Sequence, residues 1–437
     1  MNRTNLAIMC SLLMGTGNAF AADEMLTFSS GDYIKADEIN QNFSYLKALA
    51  ESSGARGLTL EDEVDCTSNS EALAEYFAAG AKNSDFLVVT IKGNCSWGSV
   101  NFNRSNIEFA GHEQGGQISG NIRVDSEQKI GFVNLTINDD LIYDGNANGW
   151  VDNLTGDGDN MISVGASSRL WYGDGTTNIR RLEVTNGSAL SGSYLDVNSL
   201  YVDASTMAAG EIVADEIILL QSASLSTWTE EGIDARYIGL GLGSSLQTQS
   251  LSIEENVDVT EGSSLSVENL TLGGDIRVSG SSSLYAQSLS TEQNVYLDNV
   301  SSLWAGSLTL GGELRVNSSS SVGVHTELVS SGNIIVTNSS SMNAGSLSAP
   351  QLFLQHSSSA SIASLDVDLL FCRTSSMYND QSFTVPNLEL GGFCYLEAHI
   401  DMTSLCDRVD TSGSVLGWST VEDVWNSFPA DCTFSAQ

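Results

Sequence analysis

The stretch "SSLWAGSLTLGGELRVNSS", residues 301–319, decides how the chain folds. Its apolar residues come in pairs spaced by two: Leu303 with Ala305, Leu308 with Leu310, and Leu314 with Val316. That spacing puts both side chains of a pair on one face of an extended strand. Three such pairs predict three short strands, each turning two side chains inward, with Ser, Gly and Asn at the corners between them. A helix cannot deliver three period-two pairs in so short a length.

The phrase recurs. Restarts fall at Ser244, Ser263, Ser282, Ser301, Ser320 and Ser340, a period of about 19 residues, which marks a stack of structural units rather than a globular domain. Neighbouring copies keep the pairs: Leu265/Val267, Leu270/Leu272 and Ile276/Val278 in one, Leu284/Ala286, Leu289/Thr291 and Val295/Leu297 in the next. Stacked, the pairs become apolar ladders, and each strand bonds to its equivalents above and below. The predicted fold is all-β, a parallel β-helix. Weaker copies begin at Ser188 and Ala223 upstream, and at Ser359 and Ser376 downstream. About 14 coils at a rung spacing of about 4.8 Å give a rod roughly 65–70 Å long. The chain has 3 prolines, as a ladder that needs its N–H groups demands.

The ends read differently. Residues 1–21, "MNRTNLAIMCSLLMGTGNAFA", have the short apolar run and Ala-Phe-Ala ending of a secretory signal, too short to span a bilayer. Past Cys10 come six cysteines, Cys66, Cys95, Cys372, Cys394, Cys406 and Cys432, near the two ends of the chain. An even number in an exported chain predicts disulfide staples on the end caps. Cys372 and Cys394 lie about one coil apart, so they are candidates to bridge adjacent rungs. Net charge is −37, with 17 Lys plus Arg, which argues against nucleic acid and suits solubility and cation binding. After Cys394 the repeat stops, and residues 395–437, with Trp418, Trp425 and a predicted short helix around Val421–Trp425, look like a cap over the last coil.

Residues 64–137 contain "VTIKGNC", "NIEFAG", "ISG" and "NLTI" after the segment "SNSEALAEYFAAGAK". They resemble the opening of secreted right-handed β-helix proteins of the pectate-lyase-like superfamily, in which an amphipathic helix caps the stack. The resemblance implies the right hand, which the period alone leaves open against a left-handed prism. It also implies a capping helix reaching about Lys82, with Leu73, Phe77 and Ala81 over the open end and Asn69 or Ser70 at its start, and a Cys66–Cys95 bridge. The β-helix is thereby expected over 61–394. Residues 27–52, "TFSSGDYIKADEINQNFSYLKALAES", resemble the short helical segment in front of bacterial and phage fibre proteins. Ile34, Ile39, Phe43, Leu46 and Leu49 form an apolar stripe, so 22–60 reads either as an oligomerising stalk, a trimer for instance, or as a helix folded against the rod.

Polysaccharide lyases of the superfamily need a Lys or Arg base and often calcium; its glycoside hydrolases use clustered Asp with Gly-His-Gly. The chain has no Gly-His-Gly, and its four His residues are scattered. The loop "DGNANGWVDN" offers Asp144, Asn146, Asn148, the Trp150 carbonyl and Asp152 in the order of a calcium loop, with Thr155 where a bidentate Glu is wanted. The expected ion would be a structural Ca2+, the alternative being a hydrated Asn/Gly turn with no ion. Outward residues of the third strand form a column: Asp258, Arg277, Tyr296, Arg315, Ile335 and Phe353. Tyr285 and Trp304 stack on the first strand, and Ser252, Thr271, Ser290, Thr309 and Ser348 line the second. Aromatic faces and Arg forks at strand pitch suit sugar rings and acidic groups, although ordinary surface stacking would give the same columns. The reading is a secreted or surface structural and adhesive protein that contacts extracellular glycans or its own copies. Its alternative is a calcium-dependent lyase of acidic polysaccharide, using Arg277 and Arg315 as base or clamp.

Overall fold

A computed structural model describes residues 59–79, 85–98, 105–125, 128–156, 159–173, 176–379, 381–391, 394–398, 409–411, 417–420 and 424–425. Residues 1–21, nearly all of 22–60, Ala81, Cys406 and Cys432 lie outside them. The chain divides into two compact units, 1–60 with 83–86 and 61–82 with 87–437, and the second holds the β-helix.

It is a parallel β-helix of about 15 turns. The inward ladders stay aligned through the central coils: Leu246, Leu265, Leu284, Leu303, Val322 and Met342 pair rung on rung. Leu251, Leu270, Leu289, Leu308, Leu328 and Leu347 do the same on the second face, and Val257, Ile276, Val295, Leu314, Ile334 and Leu352 on the third. All of these side chains are buried. Each fully buried aliphatic side chain contributes about 1.5–3 kcal/mol, which is why the inward positions vary so little.

The three inward pairs per coil are as expected, but the first two strands are one. Ser302–Leu310 runs on as a single strand and Leu314–Val316 is separate. The bend between the first two faces lies at Gly306–Ser307, where Ala305 and Leu308, three apart, both point inward. In shorter coils, such as Ala189–Asp203 and Ser341–Gln355, one strand lines all three faces. Coil length therefore varies at the corners, and the core ladders continue through a bulge such as the one opposite Ala305 and Leu308.

The serines that open each phrase are core residues. Ser244, Ser263, Ser282, Ser301, Ser320 and Ser340 are each at most 2% exposed. The two residues before each adopt left-handed backbone, as at Ser318 and Ser319 or Asn338 and Ser339, which turns the chain sharply. The buried hydroxyls then satisfy corner amides: Ser301 N donates to Ser320 Oγ at 3.2 Å, and Ser320 N to Ser340 Oγ at 3.3 Å.

At the N-terminal end a helix, Ala72–Ala78, buries Leu73 and Phe77. The expected continuation to about Lys82 lies, past Ala79, outside the described residues. Asn69 accepts from Glu71 N through Oδ1 (3.1 Å), while Glu71 occupies the cap position with no side-chain capping bond. Phe77 packs on Phe109, which stacks on Phe132 at 5.4 Å. The bridges Cys66–Cys95 and Cys372–Cys394 are both formed. The helix expected around Val421–Trp425 is corrected at its end: Val424–Trp425 is a strand, antiparallel to Gly417–Thr420. Among the described residues no helix is long and apolar enough to cross a membrane.

Candidate ligand-binding face

The third-face column forms as read: Asp258, Arg277, Tyr296, Arg315, Ile335 and Phe353 occupy successive rungs. Its guanidinium groups are already engaged. Arg277 Nη2 lies 3.2 Å from Asp275 Oδ2 and its Nη1 3.9 Å from Asp258 Oδ1, and Arg315 Nε lies 3.1 Å from Glu313 Oε1. Asp258 Oδ2 also accepts from the Tyr237 hydroxyl at 2.9 Å. Burial, reinforced by that carboxylate, pushes the Tyr237 hydroxyl up to about 12. A proton-abstracting or substrate-clamping Arg needs a free fork, and both candidates share theirs with a carboxylate two residues earlier. Each pair is half-exposed, so an incoming anion would compete with a weak contact rather than meet an empty site.

The second-face hydroxyl column is interrupted. Ser252, Thr271, Ser290 and Thr309 stack, but Val329 takes the next rung before Ser348.

The suggested calcium donors are spread out. Asp144 and Asn146 sit at a corner, where Asp144 Oδ2 accepts from Arg123 Nη2 at 2.6 Å. Asn148–Asp152 is a strand whose Val151 is buried. Asn148, Trp150 and Asp152 therefore alternate along extended backbone, and two strand steps of about 6.7 Å each separate the first from the last. A seven-oxygen shell near 2.4 Å requires the chain to curl around the ion, and this segment is straight. The indole of Trp150 is committed elsewhere, lying across Gly131 and donating to Glu108 Oε2 at 3.0 Å. The five residues do not fit one coordination sphere as they stand.

The first face carries the most distinctive surface. Tyr285 and Trp304 stack with ring centroids 4.6 Å apart and planes 2° from parallel. They stay 44% and 39% exposed, large for aromatic residues with partners so close. The same outward column extends both ways through residues that the sequence reading did not connect. Upstream it passes Ser266, Gln247, Ser226, Ala208 and Ser191 to Trp171 and Trp150. Downstream it passes Gly323, Asn343 and Ser361 to Tyr378. Trp171 and Tyr378 are also exposed. Their coils depart from the strict period, so counting residues does not align them. Only the pairing register does.

Comparison with protein-family models, with curated proteins and with solved structures finds no match to this chain.

Proposed function

We propose that the chain is an exported structural and adhesive β-helix protein whose outward side-chain ladders bind extracellular glycans. The observation that carries this is the parallel, solvent-facing Tyr285–Trp304 pair, flanked on the rungs above and below by the small residues Ser266 and Gly323. Sugar rings present C–H faces, and exposed, rigid aromatic planes recover apolar contact with them at little entropic cost. Two disulfides support an oxidising compartment. The similarity of 64–137 to pectate-lyase-like proteins supports kinship with that superfamily, with binding kept and the chemistry absent. The segment 22–60 would gather the rods into oligomers, a trimer being the natural form for a fibre stalk.

The test is a glycan array probed with the mature protein, alongside a Tyr285→Ala/Trp304→Ala double variant. Binding that the double variant loses supports the reading. Unsaturated uronate appearing in ultraviolet absorbance with calcium and acidic polysaccharide would instead establish a lyase. Light scattering of a chain lacking 22–60 tests the stalk: an unchanged mass removes it.

A further inference from the structure

We propose that the first-face trough between Trp304 and Tyr378 takes an uncharged polysaccharide segment, about four sugar units long. The inference rests on the glycan-binding reading and specifies the ligand class. Trp304 and Tyr378 stand at the two ends, and Gly323, Asn343 and Ser361 form the floor on the three rungs between. Four rung steps span about 19 Å, room for about four pyranose units. The space measures about 660 Å³, within the range of ordinary small-ligand sites.

Charge selects the occupant. The chain carries 54 acidic residues and a net charge of −37, yet none of the residues lining the trough is charged. A uronate or sulfated chain would find no cation there and would meet the repulsion of the whole rod. A polycation would find no carboxylate. What the lining offers is hydroxyl and amide groups: Asn343 and Ser361 on the floor, with Ser321, Ser341, Ser359 and Ser376 in register along one side. Those are partners for neutral sugar hydroxyls, between two aromatic walls that supply the apolar contact. Gly323 keeps the floor low beside the indole: a Cβ there would lie 3.2 Å from Trp304 Cδ1.

The full mature chain is titrated calorimetrically with neutral oligosaccharides of β-1,4-, α-1,4- and β-1,3-linkage, and with oligogalacturonates of matching length. At least one neutral series should bind, with affinity that climbs with length and levels off at about four units. Matching uronates should bind about tenfold more weakly or not at all. Trp304→Ala should weaken neutral binding about tenfold. Asn343→Trp, which fills an exposed position of the floor, should abolish it while leaving the thermal unfolding of the rod unchanged. Uronates binding as well as or better than neutral chains would overturn this inference and leave the glycan-binding function standing. So would neutral binding indifferent to Asn343→Trp. No glycan binding at all, or self-association in its place, overturns both.

Discussion

Ser282 lies in a run of three serines, Ser281 to Ser283, and it is the buried one, 2% exposed. Its Oγ donates to the Ser279 carbonyl at 2.6 Å and accepts from Gly262 N at 3.1 Å and Ser263 N at 3.2 Å, two amides of the preceding coil. Ser282→Ala removes all three bonds. Independent loss would cost about 1.5–4.5 kcal/mol at the usual net worth of a hydrogen bond. The two amides keep second partners, however: Gly262 N reaches Gly280 O at 2.8 Å, and Ser263 N reaches Thr260 O at 3.2 Å. The expected cost is therefore about 2 kcal/mol, most of it from the carbonyl left facing a methyl group. Chemical denaturation monitored by far-ultraviolet circular dichroism measures the loss. Hydrogen exchange locates it, because a solenoid coil contacts only its neighbours and the Gly262 and Ser263 amides should lose protection first. Ser283→Ala, one residue along and exposed, is the control and should stay within about 0.5 kcal/mol. If Ser282→Ala is as mild as that control, the hydroxyl ladder does not hold the corners together and the account of the buried serines fails.

Val300, 64% exposed, holds φ 66° at a corner where the neighbouring coils place Ser281 and Ser319; Val300→Asn should stabilise the rod by about 1 kcal/mol in thermal unfolding, since a β-branched residue is strained there. Replacing Cys372 and Cys394 together by Ser opens a loop of 22 residues and should cost about 3 kcal/mol, read as a denaturation midpoint below that of the oxidised wild type but above that of the reduced one, which loses Cys66–Cys95 as well. Tyr237, with its folded pKa raised to about 12, should titrate late in an alkaline absorbance series, and Tyr237→Phe should delete one equivalent there. The sign follows from the raised value. Stability contributed by neutral Tyr237 is complete below about pH 10, its unfolded pKa, and is lost as pH climbs through 12, so the variant should unfold less steeply across that window.

The architecture was legible in the letters alone. Inward pairs spaced by two, restarted about every 19 residues, are a direct imprint of strands stacked at a fixed pitch, because every rung must match its neighbours in side-chain volume. Leu265, Leu284 and Leu303 stack as that reading requires. The column of Arg277, Tyr296 and Arg315 followed from the same arithmetic. Left to the tertiary structure was everything that depends on which neighbours a side chain meets. Three identical letters at Ser281–Ser283 conceal one core residue, since a corner's backbone angles and not its composition decide which hydroxyl turns inward. Arg277 and Arg315 looked available until Asp275 and Glu313 were seen beside them. The trough joining Trp304 to Tyr378 stayed hidden for a simpler reason. Coils gain and lose residues at their corners, so hydrogen-bond register, rather than distance along the chain, determines what lies above what.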